Sequence, residues 1–119
     1  MASSEELIEA FADWRGRSNT NERLRKMVRG WDRVVHFRVV DIDEGFTMEV
    51  RGQLLSELSV GLVGQPDVIV TGTSEDFCDM FWGDLNPSEK YMSGEITLAG
   101  SQQDVMRIDA ISMVAFLDR

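Results

Sequence analysis

The sequence predicts an α+β fold, and three stretches of its apolar pattern carry that prediction. The opening repeats with a period near 3.6, the middle alternates with a period of two between short turn signals, and the end returns to the helical period. At 119 residues the chain has the length of one ordinary domain, so residues 1–119 are expected to share one core.

The first helix follows from Ser3 with Glu6 three residues on, a capping-box pattern, and from Leu7, Ile8, Phe11 and Trp14 at helical spacing. It is expected over about Glu5 to Arg15, with Gly16 to Asn21 as an interruption. Leu24, Met27, Val28 and Trp31 then repeat at i, i+3, i+4 and i+7 between Arg and Lys, which predicts a second amphipathic helix ending near Gly30.

From Arg33 the period is two. The β-branched run from Val34 to Val40 enters the turn Asp43-Glu44-Gly45, and Phe46, Met48 and Val50 alternate with polar residues beyond it, giving a hairpin. Leu58, Val60 and Leu62 predict a third strand that stops near Gly64-Gln65-Pro66, and residues 67–73 predict a fourth. Ser74-Glu75-Asp76 open a short helix with Phe77, Met80 and Phe81 on one face and Gly83 at its end. Asn86-Pro87-Ser88-Glu89 open another, closed at Gly94. Ile96 and Leu98 mark a fifth strand, Gly100 turns the chain, and Gln102 to Leu117 form the closing helix. The sum is a five-stranded, mainly antiparallel twisted sheet with about five helices on one face. The helical connection between the fourth and fifth strands is long enough to allow a parallel pair there.

Composition excludes several functions. A net charge of −9 opposes binding to nucleic acid, because phosphates reward a surplus of Lys and Arg. The charge is uneven: residues 1–40 hold eight basic and six acidic groups, net +2, and the remainder holds four and fifteen, net −11. Seven of the basic groups lie between Arg15 and Arg33, a stretch that offers either a solvated helix face or transient contact with an anionic membrane. The single Cys78 rules out an internal disulfide, and with only His36 besides, no zinc site of several Cys and His ligands can be built. No metal and no cofactor is expected. No apolar run is long enough to span a bilayer and the first residues lack a signal layout, so a cytoplasmic location is expected.

Catalytic motifs are also missing. His36 falls on the strand face opposite Phe37, so it is expected to point to water. Asp41-Ile42-Asp43-Glu44-Gly45 lacks the further acids of a calcium loop and reads as a polar turn. Gly61, Gly64 and Gly72 have neither the spacing nor the following Lys of a phosphate loop. No catalytic residue is assigned, and the chain is not expected to be an enzyme. The positive signal is apolar surplus. The last turns of the closing helix are apolar almost all round, Phe77, Met80, Phe81, Trp82, Tyr91 and Met92 add to it, and seven methionines favour an adaptable lining.

Pro66-Asp67-Val68-Ile69-Val70-Thr71, Ser74-Glu75-Asp76-Phe77, Gly83-Asp84-Leu85-Asn86-Pro87 and Tyr91-Met92-Ser93-Gly94-Glu95-Ile96-Thr97-Leu98-Ala99-Gly100 follow one another along the chain, and together they resemble the sterol carrier protein type 2 domain. Their order and spacing carry the resemblance, strongest over residues 66–117, with Phe37 and Phe46 fitting the first hairpin. It implies an apolar tunnel between sheet and helices, and non-enzymatic binding and transfer of fatty acid, acyl-CoA, sterol or phospholipid. The acidic balance departs from the basic character of many members, and the ending Leu117-Asp118-Arg119 is not a peroxisomal tripeptide. The expected lining is Phe37, Phe77, Phe81, Met92, Met106, Met113 and Leu117. Within the closing helix the methionine stripe is placed toward the ligand, and Val105 and Ile108 toward the sheet. Two rivals remain at this stage: a structural or accessory domain that dimerises through its apolar helix, and a small cavity enzyme, which needs polar groups converging inside. The expected state is monomer or dimer.

Overall fold

A computed structural model describes residues 1–119. Five helices and six short strands occur, in the expected order but for an added β3: α1 (Ser4–Asn19), α2 (Glu22–Met27), β1 (Arg33–Val39), β2 (Glu44–Arg51), β3 (Leu54–Leu55), β4 (Ser59–Val60), β5 (Val68–Gly72), α3 (Ser74–Trp82), α4 (Pro87–Ser93), β6 (Thr97–Gly100) and α5 (Gln102–Leu117). The class is α+β.

Local chemistry explains most boundaries. The Ser3 hydroxyl accepts from the Glu6 amide while the Glu6 carboxylate accepts from the Ser3 amide, the reciprocal pair expected from sequence. Asn21, Thr73, Asn86 and Ser101 cap the other four helices through their side chains. Contrary to expectation, α1 does not stop at Gly16. Ser18 is buried, and Arg17 donates to the carbonyls of Ala115 and Phe81, so tertiary contacts carry the helix through a residue that costs about 1 kcal/mol there. The chain leaves α2 at Met27 and turns through Gly30 at φ 68°, three residues before the expected end.

The sheet runs β3-β2-β1-β5-β6, with β4 pairing the other end of β2. Four pairings are antiparallel and one, β1 with β5, is parallel. The long connection α3–α4, which allowed a parallel pair, instead returns β6 antiparallel beside β5, and the parallel pair is β1 with β5. The expected third strand over residues 58–62 shrinks to two residues. A β2–β3 hairpin precedes it, turning through Gly52 and Gln53, both with positive φ as a two-residue turn of that twist requires.

One face of the sheet carries Val35, Phe37 and Val39 of β1, Phe46, Met48 and Val50 of β2, and Val68 and Val70 of β5, all buried. The helices cover this face, and 27 buried apolar residues form one cluster between the layers. Phe81 is its centre, with ring centroids 5.2 Å from Phe11, 5.4 Å from Trp14, 5.7 Å from Phe37 and 6.1 Å from Phe77.

The opposite face holds a second departure. His36 is 4% exposed rather than solvated. The segment 61–64 crosses that face: Thr47, the register partner of His36, donates to the Gly61 carbonyl at 2.7 Å and accepts from the Val63 amide at 2.9 Å, and His36 Nε2 lies 2.9 Å from the Val63 carbonyl. Leu62 settles in the space that a side chain at Gly45 would need. A strand that would otherwise present polar groups to water is thus roofed by backbone.

Candidate functional site

The inner layer between sheet and helices contains a small void. Val35 and Phe37 of β1, Met48 of β2 and Val70 of β5 floor it, and Trp14, Met80, Tyr91, Ile108, Ile111 and Ser112 close it from α1, α3, α4 and α5. Its free volume is about 10 Å³, close to the space of one water. No open tunnel runs through the layer; side chains fill the interior.

Polar groups occupy one edge of the void. The Tyr91 hydroxyl lies 2.9 Å from Ser112 Oγ, Ser112 is 2.7 Å from the Ile108 carbonyl, and Met80 Sδ lies 3.8 Å from the Tyr91 hydroxyl. Burial pushes the Tyr91 phenol up to about 12, so it stays protonated at any physiological pH. Every other lining side chain is apolar or aromatic.

The seven expected lining residues part company. Phe37 reaches the void, and Phe77 and Phe81 pack against Phe37 in the aromatic cluster behind it. Met113 is half-buried on α5. Met92, Met106 and Leu117 stand outside, 87%, 63% and 66% exposed. The stripe of α5 that turns inward is Ile108, Ile111, Ser112 and Ala115, not the methionine stripe. The helix phase is set from its first turn, where Asp104 accepts from Trp31 Nε1 at 2.8 Å and from Arg33 Nε at 3.1 Å. Trp31 lies between the Arg33 and Arg107 guanidiniums, at 5.5 Å and 5.7 Å from its ring. Once Asp104 faces inward, Ile108, Ile111 and Ser112 follow at helical spacing. The sequence signal that could have found the site was the pairing of Tyr91 with a serine inside an apolar helix.

Other chemical groups are committed elsewhere. His36 lies on the far face of the sheet from the void. Asp41 accepts from the Ser74 amide at 2.8 Å and its hydroxyl at 2.7 Å, so the acidic turn anchors α3, and the bond to Ser74 holds the carboxyl below its usual range. Burial pushes the Cys78 thiol up to about 11, away from nucleophilic character. Most of the basic stretch braces the fold: Arg15 donates to the Leu55 carbonyl, Arg17 to Phe81 and Ala115, Arg23 pairs with Asp118 and Arg33 with Asp104. Arg25, Lys26 and Arg29 remain exposed and unpaired on and beside α2.

The SCP-2 sterol transfer family model matches residues 11–112. The chain belongs to this family. Solved structures agree on the fold. The sterol carrier protein domain 2 of Helicoverpa armigera superposes with a TM-score of 0.67 at 20% identity, covering 97% of this chain and 93% of that one. Palmitated SCP2L2 from Aedes aegypti gives 0.63 at 20% identity, covering 93% and 95%. A stereoselective inverting sec-alkylsulfatase from Pseudomonas sp. gives 0.59 at 17% identity over 74% of this chain, which spans 13% of that longer enzyme. No curated protein matches in sequence. Lipid binding, in the general sense that defines the SCP-2 family, is therefore the activity that the match supports, and no helix of this member is long and apolar enough to cross a membrane.

Proposed function

We propose that this SCP-2 family domain, as a single unit over residues 1–119, binds one apolar lipid chain between its sheet and helices without catalysing a reaction on it. The observation that carries this reading is an apolar void, in a member of a sterol transfer family, at the seam where the helical layer meets the sheet.

The void must open. Ligand pockets run to about 300–1,000 Å³, so the seam has to widen many-fold. The segment best suited to yield is α4. It is joined to its neighbours through Gly83 and Gly94, both in the left-handed region at φ 84° and 79°, and Pro87 is its one buried residue. Met48 and Met80, with three rotatable bonds each, line the seam and can re-pack around an incoming chain. A dozen methylenes transferred from water contribute about 10 kcal/mol, against association costs of about 4–15 kcal/mol. Affinity in the micromolar range follows, reduced by whatever opening costs. Delivery to an anionic membrane would use Arg25, Lys26 and Arg29, each worth about 1 kcal/mol near the surface.

The lining of this site is Phe37 with Trp14, Met48, Met80, Tyr91, Ile108 and Ile111; Phe77 and Phe81 support it from behind. Solvent extraction and mass spectrometry of material copurifying with the protein should yield lipid, and Ile111→Trp, which fills the seam, should weaken displacement of a bound fluorescent lipid at least tenfold. Wild-type protein that carries no lipid and takes up no fluorescent lipid would overturn the reading. The assembly alternative draws on the exposed Met92, Met106 and Leu117; a dimer persisting at low concentration in the same lipid-free protein is its signature.

A further inference from the structure

Resting on the lipid-binding reading above, we propose that Tyr91 and Ser112 make the inner seam selective for lipids whose head group donates a hydrogen bond, a neutral alcohol, over lipids whose head group is a carboxylate. Each hydroxyl has one hydrogen and two lone pairs. Ser112 donates to the Ile108 carbonyl at 2.7 Å, which leaves Tyr91 to donate to Ser112 Oγ at 2.9 Å. In the other arrangement Ser112 donates to Tyr91, and Tyr91 to Met80 Sδ at 3.8 Å. Either way both hydrogens are spent inside the protein, and only oxygen lone pairs face the seam. An alcohol brings the missing hydrogen; a carboxylate, which only accepts, must first take the Tyr91 hydrogen away from Ser112 or Met80.

Charge points the same way. None of the side chains lining the void is cationic. Burial, with a smaller contribution from the Asp109 charge, holds the Tyr91 phenol up at about 12, so the phenol stays protonated and the nearest ionised group opposes a second anion. Lys90, the neighbouring cation, is engaged by Asp76 at 3.3 Å and Glu95 at 3.0 Å, and Asp109 accepts from Ser88. A carboxylate brought here loses water and gains no counter-charge.

The test compares dodecan-1-ol with dodecanoate as competitors for the neutral fluorophore diphenylhexatriene, and the readout is the ratio of their Kd values within each variant. In wild-type protein at pH 8 the alcohol should win by at least tenfold, and the advantage should shrink as the pH falls toward 5 and the acid regains its own hydrogen. Tyr91→Phe removes the accepting oxygen and should cut the advantage by about threefold to tenfold, the net worth of one hydrogen bond. Ser112→Ala, a small change in the lining, frees the Tyr91 hydrogen and should shift the ratio toward dodecanoate. Loss of packing alone would weaken both competitors and leave the ratio in place. Equal competition by dodecanoate at pH 8, or a ratio unmoved by both substitutions, overturns the proposal while leaving lipid binding intact. Failure of the wild-type protein to bind diphenylhexatriene, dodecanol and dodecanoate alike instead overturns the lipid-binding reading on which it rests.

Discussion

Asp104 shows how one side chain sets the phase of a helix. Its burial disfavours the carboxylate, but hydrogen bonds from Trp31 and Arg33 together with the Arg33 charge outweigh that and hold its pKa below the ordinary carboxylate value. A carboxyl held down in the folded state contributes stability that is complete above the unfolded pKa and disappears as the pH falls through the folded one. Asp104→Ala leaves the Trp31 indole N–H without its partner and should destabilise the protein by about 2 kcal/mol at neutral pH, measured by urea unfolding. The same variant should lose less stability than wild type between pH 5 and pH 2. Little of this site was legible from residues alone. Phe37 could be placed because strand alternation fixes its face. The choice between two stripes on α5 could not, since a helix apolar on nearly all sides carries no phase information. That phase comes from Trp31 and Arg33, more than 70 residues away in sequence.

Among the elements, the strap over residues 61–64 is held to the outer sheet face by Thr47 in two directions and by His36 in a third. Thr47→Val keeps the shape and removes both of its bonds. It should cost about 1–3 kcal/mol and raise amide hydrogen exchange at Val63, with the inner core protected as before. If Val63 exchange does not change, the strap is held by Leu62 packing on Gly45 instead. The helices and their order were readable because each begins at a capping residue and keeps one period. The roof over His36 was not, because alternation says which side of a strand a residue takes and nothing about what the chain later lays across it. For the same reason the third strand was drawn too long: Leu58, Val60 and Leu62 alternate as a strand does, but pairing ends at Val60 and Leu62 stays exposed where the chain crosses the sheet.

At the scale of the whole molecule, the seam lies between sheet and helices, whose aromatic contacts meet at Phe37, the one sheet ring touched by Phe11, Phe77 and Phe81. Phe81 touches four rings, so Phe81→Ala should remove about 3–5 kcal/mol and lower the Tm sharply; a loss under 1 kcal/mol would show that the layers are joined elsewhere. Fold class and family were legible in the sequence because they depend on element order and on segments spread over most of the chain. The closed seam was not, because interior volume depends on side chains from seven elements meeting at once. Arg17 adds an asymmetry to this layer. By reaching the carbonyls of Phe81 and Ala115 it rivets the trailing ends of α3 and α5 to α1, while α4 is tied to them through side chains alone, Lys90 to Asp76, Tyr91 to Ser112 and Ser88 to Asp109. The helical cover is therefore fixed on one side by bonds to main chain, and on the proposed reading a lipid enters on the other, where it has only side-chain bonds to part, that of Tyr91 among them.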